Sequence, residues 1–465
     1  MSVQIGWSIV GFIVAVSLLV TVHEFGHFWV ARKLGFKVLR FSVGFGKPIW
    51  KKIGRAPDYT EYVVAALPLG GYVRMLDERD GAVPAEDLPR AFASRPPWQR
   101  ILVLLAGPAA NVIFAVLVLW GLFLADSVTE TKPVIGVVKT GSLSATAGLR
   151  AGDEILAING RRIDDMTDAS IELLDAVSDR GDVSLAVRGK DGVERNLALS
   201  VTDADTRRKL TEPGEINKGL GFDFWEPTIP ALIESVEAGG PAEKAGLKPG
   251  DLVVALDGQP VHGIQDLVSY VNARPATEML VTVRRDGAEF SRKLLTATDQ
   301  RNGKKIGRIM ISGPTDVEKF IPDEMKVRSS RAIFASLGAA IDKSWQLTVT
   351  QAKFFWRMLT GGFSTKGISG FISIADYAGD AAHAGPNKFL FLLVLLSLSL
   401  AFLNLLPIPI LDGGQIVFQA AEWIKGGPLS DRTYMVGQQM GLVFLVLLMG
   451  LAVFNDLSRL LGTST

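Results

Sequence analysis

Two histidines and a glutamate interrupt an apolar segment near the start of the chain, in TVHEFGHFWV at residues 21–30. His23 and His27 are four residues apart, so a helix carries both side chains on one face. Two imidazoles in that arrangement can bind one Zn²⁺. Glu24 would stand beside such a metal, where it can take a proton from water and pass it to a leaving amine.

This spacing is the H-E-x-x-H pattern, which favours a zinc peptidase. The alternative is a pair of structural histidines bonded within a helix bundle. An uncompensated carboxylate inside lipid costs several kcal/mol, which disfavours that alternative. The chain has four histidines in 465 residues, so a chance match is improbable.

A catalytic zinc normally has three protein ligands and one open position. The acid at a matching depth is Asp412, in NLLPIPILDGG at residues 404–414. Two prolines in this stretch prevent a regular helix and allow a bend. We expect Gly413 and Gly414 to permit close approach to the first helix, and Asn404 to bind a substrate carbonyl or an oxyanion. The alternative has Asp412 as a helix cap.

Four apolar segments position these residues, and each is long enough to cross a bilayer, which takes about 20 residues. They cover residues 5–31, 101–125, 389–411 and 433–455. The sequence therefore predicts a polytopic α-helical membrane protein with four transmembrane helices. The absence of cysteine excludes disulfides and thiolate ligands, and a net charge of +1 gives no support for nucleic-acid binding.

The charges around the first segment predict the orientation. Residues 32–55 contain eight Lys or Arg and no acid, so this loop should remain in the cytoplasm. Both chain ends and the long insert between the second and third segments are then expected in the periplasm. His23, His27 and Asp412 would lie toward the cytoplasmic side of the inner membrane.

The long insert contains a repeat. AGLRAGDEILAINGRRI at 147–163 aligns with AGLKPGDLVVALDGQPV at 245–261, and each copy closes a short strand with Asn-Gly or Asp-Gly. We predict two α+β domains inserted between the second and third helices, at residues 128–206 and 218–311. The polar stretch 207–219 is predicted to be the linker between them.

The repeats resemble PDZ domains of bacterial proteases. Gly219, Leu220, Gly221 and Phe222 are similar to the loop that binds a terminal carboxylate in such domains, and we assign them to the second copy. The alternative is a glycine-rich strand start. The first copy has KPVIGVV, residues 132–138, at the comparable place and is a weaker candidate.

Residues 40–76 are predicted to form a hairpin-like loop beside the first helix, because YVVAALPLGGYVRM (62–75) has strand character broken by Leu-Pro and Gly-Gly. Val63, Val64 and Ala65 are expected to present an edge that pairs with an unwound substrate. Gly44 and Gly46 are candidates for the same role. An ordinary cytoplasmic loop is the alternative.

HEFGH at 23–27 together with N-x-x-P-x-P-x-L-D-G at 404–413 resembles the site-2 protease family of intramembrane zinc metalloproteases. Two PDZ-like repeats between the second and third of four spans resemble its bacterial RseP branch, the regulator of sigma-E proteases. The resemblance implies that His23, His27 and Asp412 bind one Zn²⁺ per chain. It also implies that Glu24 is the general base and acid and that Asn404 contacts substrate. By the same resemblance, the loop 40–76 re-enters the membrane on the cytoplasmic side, and Gly44 and Gly46 are similar to the Gly-x-Gly element of that hairpin.

The implied activity is cleavage of single-span membrane proteins within or near their transmembrane segment. Anti-sigma factors already trimmed outside and remnant signal peptides are the implied substrates, in regulated intramembrane proteolysis and the envelope stress response. Peptide C-termini at the second PDZ-like domain and membrane lipid are further expected partners, and nucleic acid is not.

Three remaining features follow from the same resemblance or from local pattern. Residues 323–385 are expected to form an amphipathic helix, packed on the membrane surface or on the repeats, and a clamp-like segment. Phe371 stands in that segment where many relatives carry proline. Asn111, in GPAAN at 107–111, is expected to have a supporting role.

Two other functions fit parts of this pattern. A non-catalytic membrane scaffold could present the PDZ-like domains, but it has no use for Glu24. A transporter with charges inside the membrane would be expected to have duplicated membrane halves. In this chain the repeat lies between the predicted spans, so the first and last membrane parts, 1–125 and 386–465, show no such duplication.

Overall fold

The structure is a computed structural model that describes residues 2–125, 130–179, 181–212, 214–301, 304–314, 317–327, 333–361 and 364–460. The chain divides into two compact units. A membrane unit comprises residues 1–128 and 329–454, and an outer unit comprises residues 129–328 together with 455–465. The predicted location of the chain ends depends on Met1 and residues 461–465, which lie outside the described residues.

The helices are given in chain order. They are α1 (Ser2–Lys33), α2 (Pro97–Leu124), α3 (Leu143–Thr146), α4 (Met166–Asp179), α5 (Ala204–Leu210), α6 (Glu215–Leu220), α7 (Pro241–Lys244), α8 (Ile264–Asn272), α9 (Ile333–Leu359), α10 (Phe371–His383), α11 (Pro386–Leu405), α12 (Asp412–Lys425) and α13 (Asp431–Leu460).

The strands are given in the same way. They are β1 (Val38–Ile53), β2 (Glu61–Met75), β3 (Glu130–Thr131), β4 (Ile135–Val138), β5 (Glu154–Ile158), β6 (Arg161–Arg162), β7 (Asp182–Arg188), β8 (Glu194–Ser200), β9 (Phe222–Phe224), β10 (Ser235–Val236), β11 (Leu252–Leu256), β12 (Gln259–Pro260), β13 (Glu278–Arg285), β14 (Ala288–Leu295), β15 (Ala297–Arg301), β16 (Lys304–Arg308), β17 (Ile311–Ser312) and β18 (Lys326–Val327).

Four helices of the described residues are long and apolar enough to span a membrane: α1, α2, α11 and α13. The third span was predicted to continue to residue 411, but α11 ends at Leu405. Pro407 and Pro409 cause this early end, because neither has a backbone N–H for a helical hydrogen bond. The six residues 406–411 form an irregular turn that leads directly into α12.

Small residues let the helices of the membrane unit approach closely. A side chain at Gly26 of α1 would overlap the carbonyl group of Ala106 on α2, and one at Gly11 would overlap the carbonyl group of Ala378 on α10. Glycine at such crossings allows backbone contact between helices in a membrane, where the hydrophobic effect gives no driving force. The close α1–α2 crossing at Gly26 lies between His23 and His27.

The strands β1 and β2 are both bent and together form a sheet of four short segments. Residues 38–43 pair with 71–75, and residues 48–53 pair with 61–65, both antiparallel. Residues 40–43 also lie beside 61–64, so the order is 48–53, 61–65, 40–43, 71–75. Gly44 and Gly46 have φ of +90° and +89°, a backbone conformation that favours glycine and bends β1. A single hairpin was predicted for residues 40–76, and the structure has four paired strand segments there instead.

The amphipathic helix predicted before the third span is α9. Its buried side chains Ala340 and Leu347 pack in one cluster with Leu119 of α2 and Leu398 of α11. One side of this helix therefore packs on two membrane helices, while large apolar side chains on its other side, such as Phe334, Trp345 and Trp356, are exposed. The expectation that it packs on the membrane surface stays a prediction. Phe371 is the first residue of α10, a position that proline also favours, so the difference from many relatives is compatible with the same helix start.

The outer unit contains two similar four-stranded sheets, in the orders β6-β5-β7-β8 and β12-β11-β13-β14. The Asn-Gly and Asp-Gly turns between their first two strands have positive φ at all four residues, as hairpin turns of this kind require. Each sheet has its own buried apolar cluster. We call the two halves the first and second outer domains.

The boundary predicted between the outer domains was wrong. Leu210, Ile216 and Leu220, within or next to the predicted linker, are buried in the core of the first domain. Strand β9 also belongs to that domain, because Phe222 pairs with Val138 of β4. The sequence Gly219-Leu220-Gly221-Phe222 therefore closes the first outer domain and does not open the second.

The second outer domain is closed by an equivalent strand, β17. Ile311 pairs with Val236 there, as Phe222 pairs with Val138 in the first domain. The residue before each closing strand has a positive φ, +82° at Gly221 and +59° at Met310. The closing segment of the second domain is therefore Arg308-Ile309-Met310-Ile311, which has no likeness to the glycine-rich sequence and gave no signal.

Candidate active site

The side chains of His23, His27 and Asp412 meet inside the membrane unit. The Nε2 atoms of the two imidazoles are 3.1 Å apart. Oδ2 of Asp412 lies 3.1 Å from Nε2 of His23 and 3.4 Å from Nε2 of His27. Both histidines are buried, so three potential ligand atoms converge in a space largely closed to solvent.

These residues fit a zinc ion. Two imidazole nitrogens and one carboxylate oxygen are a donor set that zinc accepts in catalytic sites. Oδ2 of Asp412 is buried, and its neighbours Nε2 of His23 and Nε2 of His27 present lone pairs to it when both rings carry their proton on Nδ1. Gly107 of α2 keeps the space open, since a Cβ atom there would lie 2.3 Å from Nε2 of His27.

Helix α2 holds both imidazole rings from behind. The backbone carbonyl of Val103 lies 2.7 Å from Nδ1 of His27, and the side-chain amide of Asn111 lies 3.4 Å from Nδ1 of His23. Each ring is thus fixed through the nitrogen that points away from the cluster. A ligating histidine commonly has such a partner, which sets the ring's orientation.

Glu24 follows His23 on α1 and faces strand β2. The backbone N–H of Val73 donates a hydrogen bond to its carboxylate. A Cβ atom at Gly71 would lie 3.3 Å from Cγ of Glu24, so the strand passes close beside the glutamate. The acid and base predicted from the sequence is therefore next to both the three-residue cluster and the edge of the sheet.

Asp412 reaches the histidines from the first turn of α12. Side chains at Gly413 and Gly414 would overlap the carbonyl groups of Leu405 and Ile408, respectively. These glycines therefore let α12 fold back on its own preceding turn. The expectation that they permit close approach to the first helix was wrong.

The predicted substrate-binding residues fall into two groups. Asn404 is half-buried in the last turn of α11, on the segment that leads to Asp412, and its substrate role stays a prediction. Val63 and Val64 have strand partners on both sides, so the open edge predicted at Val63, Val64 and Ala65 was wrong for the first two. Among the described residues, the segment 71–75 has a strand partner on one side only.

Sequence reasoning missed two contributions of α2. Val103 acts through its backbone carbonyl, which no side-chain pattern reveals. Gly107 acts through the absence of a side chain, and its only signal was its place in GPAAN four residues before Asn111. The supporting role expected of Asn111 has a definite contact, at Nδ1 of His23.

The comparisons with known proteins agree with this geometry. The model of peptidase family M50 matches residues 11–448. The regulator of sigma-E protease RseP from Escherichia coli K12 is 39% identical over 457 residues, covering 98% of this chain and 99% of that protein. Protease RseP from Yersinia pestis is 38% identical over 461 residues, covering 98% and 99%. A Neisseria meningitidis protein named as a zinc metalloprotease is 38% identical and covered completely, over 98% of this chain.

A solved structure also matches part of the chain. The PDZ domain of an SdrC-like protein from Listeria monocytogenes is 19% identical and is covered to 87%, with a TM-score of 0.17. The match extends over 18% of this chain.

Proposed function

The chain belongs to peptidase family M50 and is an intramembrane zinc metalloprotease of the site-2 type in the inner membrane; we propose that it cuts single-span membrane proteins within or near their transmembrane segment. The observation that carries the proposal is the convergence of His23, His27 and Asp412 beside Glu24. The three residues would hold one zinc ion per chain.

Zinc, when bound there, supplies Lewis acidity that polarises a peptide carbonyl and makes water easier to deprotonate. Glu24 takes the proton from the attacking water and delivers it to the leaving nitrogen. The hydrogen bond from Val73 N–H holds the glutamate on the β2 side of the cluster. The peptide bond must therefore lie between the cluster and this strand when it is cut.

The edge segment 71–75 supports a way to present that peptide bond. A transmembrane helix shields its peptide groups, so the substrate must be unwound, and its free N–H and C=O groups then need partners. Residues 71–73 lie next to Glu24 and, among the described residues, have a strand partner on one side only. We assign substrate pairing to this edge in place of Val63 and Val64, and pairing at Ala65 stays a prediction. Gly44 and Gly46 shape the bend that orders the sheet.

Substrates of this kind include an anti-sigma factor already shortened outside and remnant signal peptides, in regulated intramembrane proteolysis and the envelope stress response. The relatives named as regulators of sigma-E protease support this assignment. The outer domains would face the periplasm and restrict access by substrate size. The basic loop 32–55 supports an active site toward the cytoplasmic side.

The test uses the purified protein in liposomes with two single-span reporters, which share one transmembrane segment. One reporter keeps only a short outer remnant, and the other keeps a folded outer domain. We expect the short reporter to be cut and the long reporter to be cut more slowly. Glu24→Gln should lower the rate on the short reporter by about 10²- to 10⁴-fold, because proton transfer is lost.

Two outcomes would contradict separate parts of the proposal. An undiminished rate in Glu24→Gln would remove Glu24 from the reaction. Equal rates on the two reporters with the unaltered protein would remove the requirement for a shortened substrate, while leaving the peptidase chemistry in place.

A further inference from the structure

Neutral imidazole carries one proton, on either Nδ1 or Nε2. A metal needs the lone pair of Nε2, so a ligating histidine must carry its proton on Nδ1 and benefits from an acceptor there. In this cluster both Nε2 atoms point at Asp412 and both Nδ1 atoms point at α2. The two acceptors on α2 therefore decide whether each ring is ready for zinc.

The partner of His27 can only accept a hydrogen bond. It is the backbone carbonyl of Val103, 2.7 Å from Nδ1, which fixes the Nδ1–H form of this ring. The partner of His23 is different, because the amide of Asn111 can both donate and accept. The structure directs its Nδ2 at Nδ1 of His23, over 3.4 Å.

With Nδ2 directed at it, Nδ1 of His23 can only accept a hydrogen bond, whereas a histidine that binds zinc through Nε2 needs its proton on Nδ1. A half-turn of the amide places Oδ1 where Nδ2 was, with no change in side-chain shape, and Oδ1 then accepts the proton of Nδ1.

Burying the Asn111 amide in this position also costs free energy. Asn111 is fully buried, and its Oδ1 has no hydrogen-bond partner in the described structure. An unpaired buried polar atom costs about 1–3 kcal/mol, which an apolar side chain of similar size would avoid. The backbone carbonyl of Asn111 separately accepts a hydrogen bond from Ser397 of α11 at 2.9 Å, a contact that does not involve the side-chain amide. A polar side chain held at such a cost points to a task at His23.

We propose that Asn111 is the positioning residue that prepares His23 for zinc by turning its amide to accept the Nδ1 proton. The proposal rests on the ligand set proposed above. Val103 gives His27 a permanent acceptor, whereas the amide of Asn111 can turn either its donor or its acceptor to His23.

The test measures the zinc affinity of purified full-length variants by competition with a chelator. Asn111→Leu removes the acceptor and should weaken zinc binding about 10- to 100-fold. Asn111→Asp keeps an acceptor and should bind zinc about as tightly as the unaltered protein. Ser397→Ala is the matched control, because it removes the neighbouring hydrogen bond without touching the His23 ring, and it should leave the affinity unchanged.

A merely structural role predicts a different pattern. It would lower the melting temperature of the zinc-free Asn111→Leu protein, whereas we expect that temperature to stay near the parent value because an unpaired polar atom is removed with the lost hydrogen bond. Unchanged zinc affinity in a folded Asn111→Leu protein would overturn the proposal, and so would an equal loss in Asn111→Asp. If Asn111→Leu does not fold, Asn111→Ala takes its place. Failure of the ligand set would appear separately, as full zinc binding by Asp412→Ala.

Discussion

Buried carboxylates in the two units of this protein have opposite surroundings. Asp251 in the second outer domain is fully buried and accepts hydrogen bonds from two nitrogens of Arg285, at 2.6 and 2.8 Å, and from the backbone N–H of Lys248 at 2.9 Å. Asp412 in the membrane unit turns Oδ2 toward two imidazole nitrogens and has no guanidinium or backbone N–H partner there in the described structure.

The difference separates a structural site from a functional one. A buried charge that serves the fold is fully paired, because an unpaired one costs more than the fold gains. The Asp412 carboxylate and the two imidazoles can all present lone pairs to the same buried space, and a cation bound there would pair with all three. Glu422 shows that the membrane unit can also satisfy its acids, since both of its oxygens accept hydrogen bonds.

The largest expected effect on stability comes from removing one partner of the buried ion pair at Glu422. Arg100→Leu removes the guanidinium that donates to Glu422 at 2.8 Å, with both side chains buried. We expect the free energy of unfolding of the membrane unit to fall by about 3–5 kcal/mol, because a charge stays buried without its partner. Thermal unfolding in detergent measures this, and Arg100→Leu combined with Glu422→Leu should recover most of the loss. A single variant as stable as its parent would show that Glu422 does not need the pair.

The second largest effect is expected where Gly107 leaves space for the cluster of His23, His27 and Asp412. Gly107→Ala places a methyl group 2.3 Å from Nε2 of His27, so the ring must move. We expect zinc affinity and cleavage to fall by about 100-fold, since a shift of about 1 Å at a reacting group can cost that much. Gly121→Ala in the same helix is the matched control, because no atom lies within 4 Å of its added carbon. Equal behaviour of the two variants would show that α2 is not part of the site.

The smallest effect is expected in the outer unit. Burial raises the pKa of Asp251, but the Arg285 guanidinium and the Lys248 N–H lower the pKa by more, so the net pKa lies below its ordinary value. The stabilisation is therefore present above the unfolded-state pKa of about 4 and is lost as the pH falls through the folded-state value.

Asp251→Ala should weaken protection against hydrogen exchange in β11 by about 1–3 kcal/mol at neutral pH and remove the acid sensitivity of that strand. Zinc content should not change, because this carboxylate serves the fold of its own domain. A loss of zinc in this variant would contradict the separation between paired and open carboxylates.

The sequence predicted the convergence of His23, His27 and Asp412 better than the parts that support it. These three were singled out because few side chains can bind zinc and membrane segments rarely carry them. Their binding of zinc stays a prediction. The sheet of β1 and β2 was only partly predicted, since glycine bends allow one long strand to pair on both sides. Residues Gly219–Phe222 were assigned to the wrong outer domain. The strand β9 that begins at Phe222 pairs with β4, and a local sequence likeness does not reveal such a long-range contact.

Contributions that depend on the backbone were the hardest to predict. The Val103 carbonyl and the Gly107 gap have no side-chain chemistry, yet both touch the histidine rings. The fold-back of α12 over Gly413 and Gly414 likewise depends on where two prolines end α11. Such features follow from how helices cross, which periodicity and composition do not specify.

The zinc content of three purified proteins tests the central claim most directly. The unaltered protein and Glu24→Gln should each hold one zinc per chain, because Glu24 stands beside the metal and is not a ligand. Asp412→Ala should hold almost none after the same purification, since two imidazoles alone bind zinc too weakly. One zinc per chain in Asp412→Ala would contradict the claim that the open carboxylate of the membrane unit completes the site.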